Sequence, residues 1–95
     1  MTSVIIHHRV SDYDAWRPAF DKAVKADWVK DLRSYRVYRG IDDPNLVIVV
    51  NTFDSRQAAD ALINNPILRE AMGEGGVIPS SVQIDIVEEV AAGTQ

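Results

Sequence analysis

No cysteine occurs in the chain, which excludes disulfides, thiolate nucleophiles and Cys-ligated metals together. Long apolar runs are missing too, and no segment approaches the roughly 20 residues of a membrane-spanning helix. Met1 to His8 carries neither a basic start nor a long apolar stretch, so no signal peptide is expected and the protein is read as cytoplasmic. Basic runs are absent. Lys plus Arg number 10 against 14 Asp plus Glu, for a net charge of -4. An acidic domain without a basic stripe lacks the footprint of a nucleic-acid binder and is repelled by anionic membranes, so neither is an expected partner. Asp12, Asp14, Asp42, Asp43 and Asp54 all fall at turns or helix caps with no metal-ligand spacing. No metal is therefore expected. The glycine-rich stretch Gly73 to Gly76 lacks the Lys-Ser/Thr of a phosphate loop and follows a helix instead of preceding one.

The most informative feature present is Leu46 to Val50, a strand that is apolar at every position. Side chains alternate between faces along a strand, so a half-buried strand reads apolar, polar, apolar. This strand does not alternate, and neither does Val4-Ile5-Ile6. Both require cover on two sides. Ninety-five residues make one domain, and only two helical regions are legible, enough to cover one face of a small sheet. The other face must meet a partner subunit, a ligand or both.

The pattern along the chain predicts a first strand over Ser3–Val10. A helix follows from Ala15, capped by Asp14, with Trp16, Phe20, Ala23 and Val24 on one side. Trp28, Val29 and Leu32 keep helical spacing, so that helix continues or restarts over 25–32. A second strand spans Arg33–Arg39 and a turn Gly40–Asn45, and a third strand, Leu46–Phe53, closes a hairpin. Asp54 and Gln57 resemble a capping box opening the second helix. Pro66 suits the first position of a further short helix ending at Gly73. Alternation of Val82, Ile84 and Ile86 with polar residues gives the last strand. Residues 1–90 form the domain and 91–95 a flexible tail. The order β-α-β-β-α-β predicts an α+β, ferredoxin-like fold, a four-stranded antiparallel sheet with its helices on one face. Its open face measures about 350 Å² in projection, for strands of roughly 18 Å at roughly 4.8 Å spacing.

Several segments carry a resemblance. They are His8-Arg9-Val10-Ser11-Asp12-Tyr13-Asp14-Ala15-Trp16 with Phe20-Asp21 beyond, Tyr38-Arg39 with Asp42-Asp43-Pro44-Asn45, Pro66-x-Leu68-Arg69-Glu70-Ala71-Met72, and Gly76-Val77. Together they resemble the dimeric α+β barrel superfamily, in particular its small stand-alone proteins related to antibiotic-biosynthesis monooxygenases. The resemblance implies a homodimer through the open sheet face and, in each subunit, a pocket between sheet and helices. Activities in that superfamily include cofactor-free oxygenation of polyketides, polyketide cyclisation, haem degradation, dehalogenation-type chemistry and lyase chemistry. Many monooxygenase-type members carry a histidine on the second helix where this chain has Leu62, which weakens the direct transfer of an oxygenase or haem-binding role.

His7 and His8 are adjacent on a strand and point to opposite faces, so they cannot share one metal. The resemblance places a histidine at His8, the candidate general base. Arg36 and Tyr38 share a strand face and are candidates to anchor a substrate oxygen. Trp16, Phe53 and Met72 are candidate walls for a flat organic ligand, although their spacing also suits a core. These residues describe a cofactor-independent monooxygenase or cyclase acting on an aromatic or polyketide-like molecule. The alternative is a non-catalytic ligand-binding or stress-associated homodimer. RNA binding by the sheet is excluded, because the third strand is aliphatic in an acidic protein.

Overall fold

The computed structural model describes residues 1–95. Its elements are β1 (Thr2–Arg9), α1 (Tyr13–Val24), β2 (Leu32–Arg39), β3 (Leu46–Phe53), α2 (Arg56–Asn64), α3 (Pro66–Glu74) and β4 (Gln83–Glu88), with a single 3₁₀ turn at Pro79–Ser81 before β4. The sheet is antiparallel throughout, in the order β2-β3-β1-β4. This is the expected ferredoxin-like arrangement. No helix is long and apolar enough to cross a membrane.

The two-sided strands occupy the centre of the sheet. On β3, Val47, Val49, Asn51 and Phe53 are buried beneath the helices, and Leu46, Ile48, Val50 and Thr52 are half-buried on the other face. On β1, Val4, Ile6 and His8 point to the helix side, with Val10 buried just beyond the strand. Trp16, Ala59, Leu62 and Leu68 close the core from the helices. Residues beyond Glu88 have no regular secondary structure and are exposed.

Three local details differ from the sequence expectation. First, α1 begins earlier, at Tyr13, with Asp12 as its cap in place of Asp14. The Asp12 carboxylate accepts the Asp14 N–H at 3.1 Å, and Asn45 Oδ1 accepts the Tyr13 N–H at 3.0 Å. Two orphan donors of the first turn are thereby satisfied. Pro18 then falls inside the helix, on an exposed side where the Asp14 carbonyl it leaves without a donor is open to water. Second, residues 25–31 form turns, not helix, and Asp31 adopts φ 60°. That left-handed residue turns the chain so that Leu32 opens β2 opposite Phe53. Third, Ser55 caps α2, accepting the Ala58 N–H at 3.2 Å, because Asp54 is engaged by Arg33 of β2.

One irregularity governs the faces of β2. Leu32 pairs with Phe53, yet Ser34 pairs with Thr52, so Arg33 is an inserted bulge residue. A one-residue slip reverses every side chain beyond it. Ser34, Arg36 and Tyr38 consequently lie on the open face, and Tyr35, Val37 and Arg39 on the helix side.

After α3 the chain returns to the end of β1. Ser11 N–H donates to the Gly76 carbonyl and Ile78 N–H to the Arg9 carbonyl. Gly76 makes this return at φ +78°, where a Cβ would lie 2.7 Å from Ser11 Oγ. A Gly76→Ala substitution is therefore expected to cost about 1–3 kcal/mol. Gly73, on α3 with open space at its Cβ position, provides the contrast, and Gly73→Ala is expected to gain about 0.5–1 kcal/mol. Urea denaturation of the two variants measures both, and equal effects would contradict the account.

Candidate functional site

Between the helix side of the sheet and the helices lies a cavity of about 80 Å³. Ile6 and Val49 form its floor, and Trp16, Leu62, Leu68 and Met72 its helical walls. Trp28, Val29 and Leu32, which broke the helix expectation, border it at the side where burial is partial. Their apolar spacing serves the cavity instead of a helix. Gly75 also lines it, and a Cβ there would lie 3.0 Å from Trp16 Cδ1, so a side chain at that position would press on the indole.

Only two side chains bring polar atoms to this lining besides the Trp indoles, His8 and Asn51. His8 is 3% exposed, and its Nδ1 lies 3.0 Å from the carbonyl of Val47, its register partner on β3. A carbonyl can only accept, so Nδ1 carries the proton and Nε2 of the neutral ring bears a free lone pair. The ring is braced edge-on against Trp16, at 5.9 Å between centroids and 78° between planes. Trp16 stacks in turn on Phe20 at 4.9 Å. Burial lowers the His8 pKa from the ordinary 6.5, and this outweighs the opposing hydrogen bonds to the backbone. The imidazole is thus a buried, neutral base with a fixed tautomer.

Asn51 is the residue that sequence reasoning missed. It is 7% exposed and its amide forms no hydrogen bond within the chain. No fully enclosed polar side-chain atom lacks a partner, so the amide borders the open space of the cavity. Its signal was present in the sequence as the polar residue that ends the apolar run Leu46 to Val50, on the parity of Val47 and Val49. His8 and Asn51 stand four positions apart along the sheet, with the Ile6–Val49 pair between them. That separation is roughly 13 Å between backbones.

The remaining candidates divide. Trp16 and Met72 line the cavity with His8. Phe53 is fully buried and packs in the core away from it. Arg36 and Tyr38 lie on the opposite face of the sheet, Tyr38 with 51% exposure, so they cannot act with His8 within one subunit. The bulge at Arg33 is the physical reason, because continuous pairing from Leu32 would have turned both toward the cavity. No three His, Asp or Glu side chains gather as a metal site.

No family model and no curated protein matches the chain. Solved structures do. An antibiotic biosynthesis monooxygenase aligns with TM-score 0.72 at 14% identity, over 96% of this chain and 100% of the other. A protein from Deinococcus radiodurans, provisionally assigned to the same group, aligns with TM-score 0.71 at 16% identity, over 100% and 98% of the two chains. The At3g17210 protein of Arabidopsis thaliana aligns with TM-score 0.68 at 12% identity, over 99% and 100%. The chain shares their fold. Such identities carry the architecture and leave the chemistry to the residues of this cavity.

The buried His8 makes stability depend on pH with a defined sign. Its folded pKa lies below 6.5, so the unfolded chain takes up the proton first as pH falls. Stability is full above about pH 6.5, declines as pH drops below that value, and levels once the folded ring is protonated. His8→Gln is expected to flatten the slope between about pH 6.5 and 5. Denaturation midpoints of both proteins across that window test this, and identical slopes would contradict it.

Proposed function

We propose that this protein binds a small, single-ring aromatic or enolisable molecule in its cavity and abstracts a proton from it through His8 Nε2, without a cofactor. The observation that carries the reading is the pairing of a neutral, tautomer-fixed imidazole with an unpartnered Asn51 amide in one apolar cavity. The spacing suits a ligand with a polar group at each end. His8 accepts the proton from a hydroxyl or an activated C–H at one end. The Asn51 Nδ2–H donates to the oxygen at the other end and fixes the ring against the base. Asn51 takes the role first given to Arg36 and Tyr38. Trp16 and Met72 provide the flat apolar walls.

Size narrows the substrate class. A cavity that admits benzene is on the order of 150 Å³, and this one is about 80 Å³. A single ring therefore needs the partly buried side at Trp28 and Leu32 to open as it enters, and a fused polyketide is too large. The anion formed at His8 is electron-rich enough to react with dioxygen directly. In a monooxygenation of hydroquinone at a ring C–H, one oxygen atom enters the ring carbon to give hydroxybenzoquinone and the other leaves as water. The resemblance to antibiotic-biosynthesis monooxygenases supports this direction. The open sheet face, with Ile5, Ile48 and Val50 half-buried, supports a homodimer formed through it.

A second reading, a ligand binder without turnover, is favoured by the wholly apolar wall at Leu62 and by the scarcity of polar groups. Hydroquinone separates the two. It is expected to quench the fluorescence of Trp16 and Trp28 saturably and to consume oxygen faster with protein than without. Asn51→Leu is expected to weaken binding by roughly tenfold, and His8→Gln to abolish oxygen uptake while retaining binding. Tyr38→Phe should change neither. Uptake undiminished in His8→Gln would refute the base, and saturable binding without uptake in the unaltered protein would favour the binder.

A further inference from the structure

The cavity has a blind end and a mouth, and the strand registers say which residues stand at each. At the His8 end the chain after α3 is stitched across the sheet. Val77 bridges Val10, and Ile78 N–H donates to the Arg9 carbonyl. Val10, Trp16, Val47 and Val77 are all buried there. At the opposite end Leu32 opens β2 against Phe53, two positions beyond Asn51 on β3. Trp28, Val29 and Leu32 are only half-buried. Val24 and Leu32 also border a depression of the outer surface, beside Lys25 and Tyr35. The Asn51 end is therefore the mouth, and His8 stands at the blind end.

Gly75 sets the depth of that blind end. It lines the cavity at φ −78° and ψ −3°, a right-handed conformation open to any residue. The backbone does not require a glycine here, in contrast to Gly76 at φ +78°. The reason lies in Trp16, whose Cδ1 would stand 3.0 Å from a Cβ at position 75. Ordinary contact between carbons needs about 3.5–4.0 Å. Phe20 stacks on the indole at 4.9 Å and Tyr13 lies at 5.8 Å between centroids, so the free space beside it is the cavity. A side chain at position 75 would drive the indole into that space, next to His8. In a volume of about 80 Å³ little would remain for a ring.

From this geometry we propose that the site selects ligands by where they are substituted, and that Gly75, acting through Trp16, fixes the selection. The proposal rests on the reading of the cavity as a ligand site and gives that site a direction. A ring enters hydroxyl first, past Leu32 and Asn51, and its leading edge reaches the pocket walled by Trp16. The ring carbons beside the hydroxyl meet that wall, so the site accepts a phenol that is bare at both ortho positions. A para substituent trails toward Asn51 and the half-buried mouth. The ligand class is thus a para-substituted phenol, or the corresponding enol with unsubstituted flanks. Gly75 is a positioning residue, and it touches the ligand only by leaving Trp16 in place.

Ortho-cresol and para-cresol contain the same atoms and differ only in the place of one methyl group. The methyl resonances of Met72 and Leu68, which line the cavity, report the binding of each. Para-cresol is expected to bind the unaltered protein roughly tenfold or more tighter than ortho-cresol. Gly75→Ala is expected to weaken para-cresol binding by roughly tenfold and to shift the indole N–H resonance of Trp16. Gly73→Ala, where the Cβ position is open, is expected to do neither. Equal affinities for the two isomers, a comparison that needs no variant, would overturn the proposal. Gly75→Ala that binds para-cresol unchanged would overturn the role of Gly75. Binding of neither isomer would overturn the selection together with the ligand site. A preference for para-cresol in a protein that takes up no oxygen would set turnover aside and leave the selection standing.

Discussion

The hydrogen bond from His8 Nδ1 to the Val47 carbonyl is the contact on which the chemistry of this fold depends. It joins the two central strands through a side chain at 3.0 Å, at the position where their backbones are already in register. Because a carbonyl cannot donate, the bond dictates which nitrogen keeps its proton and which faces the cavity. Trp16, braced on Phe20 and close to Gly75, keeps the ring from turning. Burial then favours the uncharged form. A base, its tautomer and its direction thus follow from one strand pairing and one indole.

The sheet separates two tasks by side-chain parity. Even-numbered positions of β1 and odd-numbered positions of β3 build the cavity, and their neighbours build the open face. The bulge at Arg33 assigns β2 to the same division. It sends Tyr35 and Val37 toward the helices, where Tyr35 meets Phe20 edge-on at 5.5 Å, and sends Arg36 and Tyr38 outward. Cavity and open face share a four-stranded wall without sharing residues. A change on the open face can therefore reach the cavity only through the backbone of the sheet.

The architecture was legible in the sequence because it rests on strong periodic signals. Leu46 to Val50 announced a central strand covered on both sides, and Pro66 marked the start of α3. Details that depend on tertiary partners were not. Asp12 caps α1 with help from Asn45, a residue 32 positions from Tyr13. Trp28 and Leu32 kept helical spacing although Asp31 turns the chain, because a cavity and a core draw apolar residues together whatever the local backbone does. The placement of the candidate residues was legible in part for a related reason. Strand parity put His7 and His8 on opposite faces and the resemblance chose His8, whereas the placement of Arg36 and Tyr38 hinged on a single inserted residue, which no periodicity in β2 reveals. Asn51 was overlooked because an amide beside a turn-rich segment resembles a strand end, and only the folded sheet shows it without a partner.

The chain contains two histidines, and His8 alone faces the cavity, with His7 on the other face of the sheet. The decisive measurement is nitrogen-15 NMR of both imidazoles across pH. The account predicts that His8 is the Nδ1–H tautomer with a pKa below 6.5, and that hydroquinone shifts its Nε2 resonance and not that of His7. An Nε2–H tautomer, or a His8 that titrates above 6.5, would contradict the account of the cavity as the seat of a neutral base.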